Sequence, residues 1–106
     1  MRIISMKDEG TLRIALEGEL DHHAARSAIT RIGGLIDIEL PRSVVFNFKG
    51  LSFMDSSGIA LIIHTYRRLT ELSAKLVIED VPPQAYKVLN AAGINKMIPT
   101  ARASVR

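Results

Sequence analysis

The chain has no cysteine, so disulfides and thiolate metal sites are excluded. It has no tryptophan, and its three Phe and two Tyr offer little surface for stacking nucleic-acid bases. No apolar run approaches the roughly 20 residues of a membrane-spanning helix. The opening Met1-Arg2-Ile3-Ile4-Ser5 leads into no long apolar stretch and no cleavage site. A cytoplasmic protein with no membrane partner is therefore expected. An excess of one charge sign is also missing. Fourteen Lys and Arg face eleven Asp and Glu, a net charge of +3, and the basic residues are scattered among acidic ones. That describes a mixed solvated surface, and no direct nucleic-acid partner is expected. Neither a glycine-rich phosphate loop with its lysine nor a Gly-x-Ser-x-Gly elbow occurs, so no nucleotide cofactor and no catalytic residues are assigned.

What is present is a single-domain composition. The 106 residues are 47% hydrophobic and 24% charged, enough for one core. Arg2 to Met6 is short and apolar, and Lys7-Asp8-Glu9-Gly10 reads as a tight turn. Thr11 to Glu17 alternates apolar and polar residues, the period of a strand, so the N-terminus reads as a hairpin. Gly18-Glu19-Leu20-Asp21 breaks that alternation. Ala25, Ala28, Ile29, Ile32, Leu35 and Ile36 then recur at helical spacing, with Asp21 placed to cap the helix. Gly33-Gly34 falls inside this pattern and suggests either the helix end or a close contact.

Ser43 to Phe48 reads as a buried strand, Ser56 to Leu72 as a helix, and Lys75 to Glu79 as another strand. Lys49 to Met54 reads as a link. Pro82-Pro83 suits the first turn of a third helix, which Gly93 stops. Ile94 to Pro99 suggests a short edge strand, and the tail beyond residue 100 is expected to fray. Alternating strands and helices imply right-handed crossovers and a mostly parallel sheet with an antiparallel first strand.

The run Leu51-Ser52-Phe53-Met54-Asp55-Ser56-Ser57-Gly58 joins a buried strand to a helix. Sites in parallel sheets gather at the carboxyl ends of strands, where helix N-termini leave N–H groups unpaired. On spacing alone the plainest role for Asp55 or Ser56 is a helix cap. His22 and His23 are adjacent in sequence, so their side chains diverge on a helix and are poorly placed to share one metal ion. Contact with a partner is the role they suit better. Asp21 beside His22 in sequence is likewise poorly placed to orient it as a base for a Ser56 nucleophile.

The Asp55-Ser56-Ser57-Gly58 run, with Leu51 to Met54 before it, resembles the phosphorylation-site motif of the STAS domain of anti-sigma factor antagonists. Gly18-Glu19-Leu20-Asp21-His22-His23 is similar to the second motif of that family and has the form found in its sporulation member. Leu89-Asn90-Ala91-Ala92-Gly93-Ile94 is similar to the end of its last long helix. The resemblance covers about Ile3 to Ile98. It implies an α/β STAS-like single domain over residues 1–100, with packed helices and residues 101–106 as a frayed tail.

The resemblance further implies a non-enzymatic switch. The unphosphorylated form binds an anti-sigma factor serine kinase and frees the sigma factor. Phosphorylation of Ser56, with Ser57 as runner-up, turns it off, and a metal-dependent serine phosphatase resets it. The implied partner face comprises Asp21, His22, His23, Met54, Asp55, Ser56, Ser57 and Gly58. The competing role is a STAS scaffold or sensor module of a stressosome-like or transporter-linked assembly. One departure is that Ser73-Ala74 stands where the family commonly has a glycine pair.

Overall fold

A computed structural model describes residues 1–103. The chain runs β1 (Arg2–Asp8), β2 (Thr11–Leu20), α1 (His22–Glu39), β3 (Ser43–Asn47), β4 (Leu51–Met54), α2 (Ser56–Glu71), β5 (Lys75–Val81), α3 (Pro83–Ala91), α4 (Ile94–Met97) and β6 (Thr100–Arg102). The strands form one six-stranded sheet in the order β1-β2-β3-β5-β6, with β4 beside β2. Among the described residues only β1 and β2 pair antiparallel; the other pairings are parallel. This is the expected α/β arrangement.

Alternation decides which sheet face is covered. Leu12, Ile14 and Leu16 of β2, Val44 and Phe46 of β3, and Leu76 and Ile78 of β5 are buried. They meet Ala25, Ala28, Ile32 and Ile36 of α1 and Leu61, Ile62 and Leu69 of α2 in one core. Phe46 and Phe48 stack at 5.8 Å between centroids. Arg13, Ala15, Val45, Asn47 and Glu79 line the opposite face with Ile4 and Met6, and that face is open.

β2 serves two ladders. Its first half, Thr11–Ala15, pairs with β3, and its last residues, Gly18–Leu20, pair with β4. The change occurs at a register shift between Gly18 and Glu19, where Gly18 takes φ +105°. Glycine reaches that conformation without a Cβ clash. The strand therefore continues through the run where its alternation breaks.

Four local expectations are corrected. Leu51–Met54 is a strand, β4, within the segment read as a link. Ile94–Met97 is one turn of helix where a strand was expected, because Gly93 at φ +75° restarts the chain as a helix. The next strand, β6, lies in residues expected to fray at their start. It is tied down by β5 pairing, by Ala103 N–H to Val81 O at 2.9 Å, and by Arg102 stacked 4.7 Å over the Tyr86 ring. The rest of that tail, residues 104–106, lies outside the described residues. Gly33 and Gly34 neither end α1 nor permit a contact, since a Cβ on either would have no neighbour within 4 Å.

Candidate functional site

β2 and β4 run parallel and finish in register, Leu20 opposite Met54. Each is followed at once by an aspartate and then a helix. Asp21 is extended (φ −93°, ψ −175°), and its Oδ1 accepts from Ala24 N–H at 2.9 Å. Asp55 is extended (φ −106°, ψ −172°), and its Oδ1 accepts from Ser57 N–H at 2.8 Å. The Asp55 N–H donates to Leu20 O at 3.3 Å, joining the two turns. Two capped N-termini thus open on the same rim of the sheet, each the positive end of a helix dipole.

The cap assignment decides what Ser56 is free to do. Asp55 is the N-cap, so Ser56 is the first helical residue. Ser56 is exposed, and its hydroxyl makes no hydrogen bond among the described residues. Ser57 is half-buried, with its N–H bound to Asp55. His22 and His23 are exposed in the first turn of α1. No group of three His, Asp or Glu side chains able to hold a metal occurs among the described residues.

Two residues of the expected face do not reach its surface. Met54 is fully buried, and Gly58 is buried beneath the start of α2. A Cβ on Gly58 would lie 2.6 Å from Met54 Cγ and 3.1 Å from Leu20 Cδ2. Gly58 therefore lets α2 sit down on the ends of β2 and β4, and Met54 is the floor it meets. Both shape the face from below.

Other residues at the site escape sequence reading. Phe53 is 42% exposed although it is a large apolar side chain. Its exposure follows from the pairing of β4 with β2, which a four-residue strand does not advertise. An open groove between α2 and α3 is lined by Ser56, Ile59, Lys87, Val88, Ala91 and Ala92. Lys87 reaches it from α3, and only the fold brings that helix next to Ser56.

The STAS domain family profile matches residues 2–106. The chain belongs to the STAS domain family. This STAS domain is 31% identical over 90 residues to the anti-sigma F factor antagonist of Paenibacillus polymyxa, covering 85% of this chain and 77% of that one. It is 33% identical over 91 residues to the anti-sigma F factor antagonist of Lysinibacillus sphaericus, covering 86% and 78%. Its fold is similar to the anti-sigma factor antagonist SpoIIAA in its unphosphorylated form, with TM-score 0.82 and 31% identity over 94% of this chain and 88% of that one. It is also similar to phosphorylated Bacillus SpoIIAA, with TM-score 0.73 and 31% identity over 94% and 91%.

Proposed function

We propose that this STAS domain is an anti-sigma factor antagonist switched by phosphorylation of Ser56. The observation that carries the reading is the free, exposed Ser56 hydroxyl at the start of α2, beside two aspartate caps. Relatives named as anti-sigma F factor antagonists, and a relative solved both with and without phosphate, support it. The unphosphorylated domain binds an anti-sigma factor serine kinase in the cytoplasm and frees its sigma factor. That kinase transfers phosphate to Ser56, and a metal-dependent serine phosphatase removes it. The domain supplies the acceptor hydroxyl and no catalysis. Asp21, His22, His23, Asp55, Ser56 and Ser57 form the contact face.

Electrostatics explains the off state. A phosphate adds about −1.5 to −2 charges and three acceptor oxygens. The first turn of α2 tolerates that anion because its N–H groups and dipole face it. A partner docked over the same spot would have to bury it next to the Asp55 carboxylate, which is costly without a paired cation. Phosphorylation thus prevents docking and leaves the fold in place.

Incubation with the kinase and ATP should add one phosphate, and mass spectrometry should place it on Ser56. Ser56→Ala should abolish labelling and retain kinase binding. Phosphate on Ser57, or full labelling of Ser56→Ala, would show the acceptor to be wrong.

A further inference from the structure

Among the described residues, β4 has a strand on one side only. Its ladder to β2 runs through Leu20, whose carbonyl takes the Asp55 N–H. The N–H and C=O of Met54 have no strand to pair with, yet Met54 is fully buried. Buried peptide groups need partners, and here one side chain supplies both. Gln84, the second residue of α3, accepts from Met54 N–H through Oε1 at 2.9 Å. It donates from Nε2 to Met54 O at 2.8 Å. The amide thus imitates a residue of a neighbouring strand on the open edge of β4.

This pairing is not a by-product of helix capping. α3 begins after Pro82 with no side-chain cap, so a polar side chain in its first turn has N–H groups of its own helix to serve. Gln84 reaches instead across 30 residues of sequence to the peptide immediately before Asp55-Ser56. Immobilising a glutamine side chain costs entropy, which the paired bonds must offset. Lys87, one turn further along α3, lines the groove that Ser56 also lines. The helix that latches the Met54 peptide through Gln84 is thus the one that brings Lys87 to the groove beside Ser56.

We propose that Gln84 is a positioning residue for the switch: it holds the Met54 peptide so that Ser56 leaves β4 in the geometry a kinase can use. The inference rests on Ser56 being the acceptor. The test uses Gln84→Met, which keeps length and packing without the bonds, and Gln84→Glu, which sets a carboxylate oxygen against Met54 O. Amide hydrogen exchange at Met54 should accelerate about fivefold or more in Gln84→Met, the factor matching one hydrogen bond's net worth; in Gln84→Glu a carboxylate oxygen still accepts the Met54 N–H, and the bond lost is the one to Met54 O. Exchange at Ile14 and Val44 in the core should stay as in the unsubstituted chain. With the anti-sigma factor kinase and ATP, phosphorylation of both variants should slow by a similar factor, mainly in kcat. Unchanged Met54 exchange in Gln84→Met would reduce Gln84 to packing and overturn the proposal. Faster exchange with an unchanged phosphorylation rate would overturn it too, because the latch would then position nothing. Phosphate on another residue of the unsubstituted chain would instead sink the acceptor assignment, while Met54 exchange would still report on the latch.

Discussion

Asp21 and Asp55 solve the same local problem twice, and their roles separate cleanly by substitution. Each lends one carboxylate oxygen to an orphan N–H of its helix. Asp55→Ala should therefore lower stability by about 0.5–2 kcal/mol in urea unfolding. Ser56→Ala should leave the urea midpoint near that of the unsubstituted chain, because Ser56 is not the cap. Asparagine caps about as well as aspartate, so Asp21→Asn should keep stability and change only the charge offered to a partner. Weaker kinase binding at unchanged stability would place Asp21 on the contact face. Asp21 was readable as a cap from its place ahead of a strong helical pattern. Asp55 and Ser56 could not be separated in that way, because the cap is whichever residue keeps extended backbone angles. Gln84 was invisible, since a side chain bonded to a peptide 30 residues away leaves no local pattern.

At the scale of elements, the long periodic segments were legible and the short ones were not. β4 has four residues, α4 four and β6 three, too few for a period to declare itself. Their conformations come from neighbours: β2 pairs β4, and β5 pairs β6. The turn before β5 shows what the missing glycine pair means. Ser73 takes φ +55°, and the next residue, Ala74, donates from its N–H to Leu69 O at 2.8 Å, closing α2. A non-glycine residue in that left-handed region is strained. Ser73→Gly should raise stability by about 0.5–1 kcal/mol, read from the urea midpoint. Within α1 the preference runs the other way, from glycine to alanine. Gly33→Ala and Gly34→Ala meet no neighbour and should each add about 0.5–1 kcal/mol in the same assay. Gly58→Ala should do the opposite, costing about 1–3 kcal/mol, because its methyl would overlap the Met54 side chain.

For the whole molecule, the parallel sheet and its antiparallel hairpin were legible because β2 alternates, β3 and β5 are rich in β-branched residues, and a turn sequence joins β2 to the apolar run before it. Strand order was not, since register depends on contacts between distant segments. The one-sided core carries a prediction about the switch. Ser56 stands on the rim, and the packed face lies beneath Met54 and Gly58. Stoichiometric phosphorylation should leave the far-UV circular dichroism spectrum unchanged. Amide chemical-shift changes should concentrate around residues 20–24 and 54–60. Shifts spread through β3 and β5 would instead mean that the phosphate rearranges the core.

β2 carries the two caps on one rail. The Asp21 turn is its direct continuation, and the Asp55 turn hangs from the strand paired with its last residues. Side chains alternate along it, so losing one residue after Gly18 would exchange the inward and outward positions and drive Leu20 from the core. Asp21 would slip past its place beside Asp55, although the Asp-Ser-Ser run itself stayed intact. The reading frame of the switch is thus kept by Glu19 and Leu20, far upstream of the serine that takes the phosphate.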